Sequence, residues 1–179
     1  MKQIIIAAFL MVFTGTFISC SDDDGVDCTP EYTGELTTGE TSLVGTWTLT
    51  ALVLDEEVDL TDDGEDNPST DWYAQRTDCE NDEVYTFSSD RSFSIEQGVS
   101  VEGCSNPAEF TGTWKLSSGA LASNYASACL EEFSALDFNA EQTSFNITKT
   151  GIIRDVNGED VQVEVVFTYT KDTAEQAPE

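Results

Sequence analysis

Val161-Gln162-Val163-Glu164-Val165-Val166-Phe167-Thr168-Tyr169-Thr170 alternates with a period of two. Val161, Val163, Val165, Phe167 and Tyr169 share one face, and the other face is largely polar, with Gln162, Glu164, Thr168 and Thr170. Successive side chains of an extended chain point to opposite sides, so this segment is a strand with one face on a core and one in water. Phe145-Asn146-Ile147-Thr148, Tyr85-Thr86-Phe87 and Phe93-Ser94-Ile95 repeat the pattern. Ser88-Ser89-Asp90-Arg91 reads as the hairpin turn between the last two, and Asn157-Gly158 as a turn into the final strand. Adding 43–54, 110–116 and one or two strands within 121–138 gives about eight. The fold class expected is all-β, an antiparallel up-and-down eight-stranded β-barrel. A helical turn is expected only at 127–133.

The chain has 179 residues, with 35 acidic side chains, 7 basic ones and no histidine, for a formal net charge of -28. One domain is the expectation for that length. Tight nucleic-acid binding is excluded, because it draws on clustered Lys and Arg. Histidine bases, triads and metal ligands are excluded outright. No nucleophile-elbow or phosphate-loop pattern is present, so no catalytic residues, enzyme activity or cofactor are expected.

The N-terminus reads as an address. Lys2 precedes the apolar run Ile4–Phe13, too short to span a bilayer but suited to a signal peptide. Ser19-Cys20 closes that segment and resembles the lipobox of bacterial lipoproteins, which implies cleavage before Cys20 and lipid on its sulfur. Ser21-Asp22-Asp23-Asp24 resembles the surface-export signal of Bacteroidota lipoproteins. The resemblance implies a protein lipid-anchored in the outer membrane and exposed at the cell surface. The organisation expected is a signal peptide at 1–19, a flexible acidic tether at 20–42, a barrel at 43–170 and a loose tail at 171–179.

Gly45-Thr46-Trp47-Thr48-Leu49-Thr50 recurs as Gly112-Thr113-Trp114-Lys115-Leu116-Ser117. Glycine, tryptophan and leucine fall on one face each time, so each glycine is expected to leave room for an aromatic ring. With Cys79-Glu80-Asn81-Asp82, Tyr85-Thr86-Phe87 and Cys104, these strands resemble the lipocalin-like domains of bacterial lipoproteins over about 43–170. That resemblance implies an eight-stranded calycin-type barrel, possible internal cavity included, and places a basic side chain near the early tryptophan. Lys171 is the candidate, giving a cation–π contact with Trp47. The family turn reads Asp-Gly where this chain has Asp90-Arg91, a departure at a position that needs positive φ.

Four cysteines remain once Cys20 is assigned to lipid, enough for two disulfides in an exported protein. The hairpin near 89–90 sets residue 79 opposite about residue 100, which favours Cys79–Cys104 and leaves Cys28–Cys129. Cys104–Cys129 is the rival pairing. Four-thiolate zinc lacks any Cys-x-x-Cys spacing.

Asp55–Glu83 holds 13 acids against the single base Arg76. Within it Asp59, Thr61 and Asp63, followed by Gly64, open like a calcium loop, but the twelfth position is Thr70 where a bidentate Glu is required. A solvated loop is the expectation, and no metal site is assigned. Trp72 and Tyr73 are expected to cap the core or to meet a ligand, together with Tyr85, Phe87 and Phe93. Asn146-Ile147-Thr148 fits the N-glycosylation triplet, and Asp172-Thr173-Ala174 resembles the O-glycosylation motif of the same phylum. The function expected is capture of a small, partly apolar molecule by a monomer. The alternative is capture of cationic proteins or peptides on the acidic surface.

Overall fold

The computed structural model describes residues 28–172. Cys20 and Ser21–Asp24, the lipidation and export readings, lie outside the described residues, as do Thr173 and Ala174. The elements are α1 (Thr38–Thr41), β1 (Gly45–Val58), β2 (Ser69–Asp71), α2 (Asp78–Asn81), β3 (Glu83–Phe87), β4 (Ser92–Gln97) and β5 (Ala108–Ser117). They continue as β6 (Ala120–Tyr125), β7 (Leu130–Ala135), β8 (Asp137–Phe138), β9 (Ser144–Arg154) and β10 (Asp160–Lys171).

All pairings are antiparallel, in the order β7-β6-β5-β4-β3-β1-β10-β9-β8, with β2 paired to β1 alone. The protein is an all-β, nearly closed barrel. Among the described residues the strands number ten rather than the eight or so expected, because β2 and the two-residue β8 carry too few residues to show a period. The helical turn expected at 127–133 is a single 3-10 turn at Ala126–Ala128, after which Leu130 begins β7.

The first and last long strands zip together, Trp47 opposite Lys171 and Leu54 opposite Val165, with a bulge between Leu49 and Ala51. The bulge moves the inward set of β1 from odd to even numbers, so Leu49, Leu52 and Leu54 are all buried. The barrel's gap lies elsewhere. Strand β8 pairs only with Phe145 and Asn146, so β7 and the rest of β9 face each other unpaired. An exposed ion pair, Lys149 Nζ to Glu132 Oε1 at 3.3 Å, bridges that seam.

One half of the interior is filled. Trp47, Phe87, Phe93, Trp114, Phe145 and Tyr169 are all buried. Their rings meet edge-on, tilted or stacked, Phe87 to Trp114 at 5.4 Å, Trp47 to Phe145 at 4.9 Å and Phe145 to Tyr169 at 5.1 Å, each such pair worth about 0.5–1.5 kcal/mol beyond its burial. Gly112 makes this density possible. A Cβ there would lie 2.8 Å from Phe93 Cε1 and 2.2 Å from the Asn124 carbonyl oxygen, so the expected room for a ring is real at this copy of the repeat. At Gly45 the occupant is different: a Cβ would lie 2.9 Å from Lys171 Cε, an aliphatic stem instead of a ring.

Residues 28–42, read from composition as part of the tether, lie against the barrel. Asn124 Nδ2 donates to the carbonyls of Thr29 and Pro30 at 2.9 and 2.8 Å, and Tyr32 N donates to Thr113 Oγ1 at 2.9 Å. This strap crosses the outer face of β5–β7, which is why Asn124 is buried although it points away from the core. Composition missed it because the strap is held mainly by backbone hydrogen bonds and a disulfide. Lys171, assigned to the tail, ends β10.

Candidate functional site

The two ends of the barrel differ. At the first, the β3–β4 hairpin presents Arg91 with φ 73, a left-handed conformation that a non-glycine residue adopts at some cost. Its side chain turns inward, where it is buried. Nη1 and Nη2 donate to Glu40 Oε1 and Oε2 at 2.8 and 3.0 Å in a bidentate pair. Nε donates to the Gly34 carbonyl at 3.0 Å, Nη2 also to Glu35 O at 2.9 Å, and Nη1 also to Trp114 O at 3.3 Å. All five guanidinium N–H donors are therefore used.

Glu40 is equally saturated. Oε2 closes a capping box with the backbone N–H of Thr37 at 2.8 Å, and Oε1 also accepts from Leu116 N at 3.2 Å. The Arg91 hydrogen bonds, against the opposing effect of burial, hold its carboxyl down at about 2, and the same pairing raises Arg91. Beside this plug, Lys171 Nζ lies 5.1 Å from the Trp47 ring and donates to Ser42 O at 2.8 Å, the contact that the family resemblance implied. Burial lowers its pKa. Arg91 Cζ stands 6.0 Å from the Trp114 ring, so each Gly-Thr-Trp strand carries a cation beside its indole.

The opposite end is open. A cavity of about 510 Å³ runs in from the start of β3, the end of β4 and the start of β5 to the seam at β7 and β9. Tyr85, Ile95, Phe110, Tyr125 and Leu130 form its apolar wall, and Glu83, Glu109, Glu132 and Lys149 its charged part. The pleat explains the set. Tyr85 pairs with Ile95 and Ile95 with Phe110, three inward positions in one row across β3, β4 and β5. Tyr125 opposite Leu130 closes the wall on β6 and β7. Tyr169, buried in the core, donates its hydroxyl to Glu83 Oε1 at 2.6 Å and meets Tyr85 edge-on at 5.0 Å. Burial, then Glu132 and Glu83, raise Tyr125 to about 12. Tyr85 and Tyr169 are raised as well, again chiefly by burial.

Residues 21–172 match the model of a family described as a Domain of unknown function (DUF5004). The chain belongs to that family. No curated protein and no solved structure matches it. The DUF5004 match begins before the strap, so the family unit includes the segment that packs on β5–β7.

Within this DUF5004 domain, the site residues named from sequence separate into three groups. Tyr85 lines the cavity, whereas Phe87 and Phe93 are buried in the filled half. Trp72 and Tyr73 pack against the core beside a 3-10 turn, with Arg76 stacked 5.3 Å from the Trp72 ring, and lie outside the cavity wall. Both cysteine pairs form as favoured, Cys79–Cys104 with Cα atoms 5.5 Å apart and Cys28–Cys129 with Cα atoms 4.7 Å apart.

Asp59, Thr61 and Asp63 form a loop that satisfies itself. Asp59 Oδ1 accepts from Thr61 N and Oγ1 at 3.1 Å, and Asp63 accepts from Glu65 N at 2.9 Å and Asn67 Nδ2 at 3.0 Å. Among the described residues no group of three or more His, Cys, Asp or Glu is placed to hold a metal ion. Asn146 sits within β9 with its Oδ1 accepting from Thr168 Oγ1 at 3.0 Å.

Sequence reasoning missed Glu40, Arg91, Ile95, Phe110, Tyr125 and Leu130 as site residues. Two signals were available. Thr37-Thr38-Gly39-Glu40 is a capping-box pattern inside a supposed linker, and Arg91 stands where the turn calls for glycine.

Proposed function

We propose that this DUF5004 protein is a lipid-anchored, lipocalin-like binding protein whose open cavity captures a small, partly apolar molecule. The observation that carries the reading is the cavity itself. Its volume lies in the range of small-molecule sites, and its wall is mostly apolar and aromatic with a few charged groups at the edge. The filled half supports it from below, because a rigid floor lets the open half keep its shape. The lipobox at Cys20 and the acids at Asp22–Asp24 support anchoring at the outer membrane and exposure at the cell surface. The protein acts by binding, with no catalytic step.

The test uses N-phenyl-1-naphthylamine, a neutral apolar dye that brightens out of water. The expected result is saturable enhancement at one dye per chain, abolished in Ile95→Trp, where the added ring fills the cavity. Absence of enhancement in the wild type, or full enhancement in Ile95→Trp, would overturn the reading.

A further inference from the structure

We infer that the cavity selects an organic cation with an apolar body, its charged head at Glu83 and its apolar part against Ile95, Phe110 and Leu130. The inference rests on the cavity being a binding site and adds the class of ligand. Three carboxylates, Glu83, Glu109 and Glu132, line the space with one lysine. That lysine is already committed: Lys149 Nζ pairs with Glu132 at 3.3 Å and lies 5.9 Å from the Phe167 ring. The charge left over is negative.

Glu83 is the carboxylate placed to use it. The Tyr169 hydroxyl fixes its Oε1 at 2.6 Å, and among the described residues no hydrogen bond reaches Oε2. The rings of Tyr85, Phe110 and Tyr125 line the same space, and an aromatic face attracts a cation, the more so as the site is desolvated. The tyrosines register the field. Glu83 and Glu132 add to burial in raising Tyr85 and Tyr125, and a potential that disfavours a phenolate favours an ammonium. An anionic amphiphile would meet that potential with no uncommitted cation among the described lining residues to offset it.

Isothermal titration of the full chain with three eight-carbon probes tests this: octyltrimethylammonium, octanol and octanoate. The expected order places octyltrimethylammonium about tenfold tighter than octanol, with octanoate the poorest. Glu83→Gln should remove about that tenfold preference while leaving octanol within about twofold. Lys149→Met should tighten octyltrimethylammonium severalfold, an independent readout if Glu83→Gln folds poorly. Octanol binding as tightly as the cation, or octanoate binding best, overturns the charge preference and leaves the cavity reading standing. No binding by any probe overturns both.

Discussion

The sealed and open ends of this barrel are built from the same kinds of side chain and end in opposite states. Each has aromatic rings, carboxylates and at least one cation. At the sealed end the charged groups are engaged within the chain: Arg91 donates five hydrogen bonds, Glu40 accepts four, and Lys171 divides itself between Ser42 O and the Trp47 ring. At the open end the rings of Tyr85, Phe110 and Tyr125 border empty volume, and Glu83 has one oxygen to offer. Saturation, more than residue type, separates a plug from a pocket. A buried charge stabilises only when its partners are complete, and the same charge left incomplete is a binding group.

The contrast is broken most strongly at Arg91. Arg91→Met leaves the strap's Glu40 buried without its partner, and removing one partner of a buried pair costs about 3–5 kcal/mol. A urea midpoint should fall accordingly, and Glu40→Leu combined with Arg91→Met should recover much of the loss. An unchanged midpoint in the single variant would show that the plug is not a unit. Acid comes next. The Glu40 carboxyl is held at about 2 against an ordinary 4.5, so the unfolded chain takes up its proton first as pH falls. The pair's contribution is complete above the ordinary value and is lost as pH drops towards 2. The stability gap between wild type and Glu40→Gln should therefore narrow steadily below pH 4.5. Lys171→Met should cost about 0.5–1 kcal/mol through its indole contact, read as a small drop in melting temperature. Phe110→Ser closes the series. The residue is 52% exposed, so stability should move by less than about 0.5 kcal/mol while N-phenyl-1-naphthylamine affinity falls severalfold. A stability loss as large as that of Arg91→Met would erase the distinction between the ends.

What could be read from the sequence follows from range. Period-two alternation is a local signal, so 161–170 and 85–95 announced their strands, and hairpin spacing alone favoured Cys79–Cys104. The Trp47–Lys171 contact joins the first long strand to the last, and it was reachable because a family resemblance carried the pairing. The Glu40–Arg91 pair had no such help. Its partners are 51 residues apart, one in a turn and one in a segment whose composition reads as solvated. The same limit hid the cavity. Aromatic side chains at inward positions announce an interior, but whether they fill it depends on how far β7 stands from β9, and no local pattern encodes that gap.

The Cys28–Cys129 bridge also has a mechanical meaning. Its sequence separation of 101 encloses β1 through β6 in one covalent loop, together with the strap and the Glu40–Arg91 pair. Tension applied between the two chain ends enters at Cys28 and crosses the sulfur bond to the start of β7. The looped strands cannot be drawn out, so among the described strands the extension under load falls on β7 to β10. A chain held at one end and pulled at the other would thus lose the β9–β10 side of its barrel first, with the sealed plug still inside the loop.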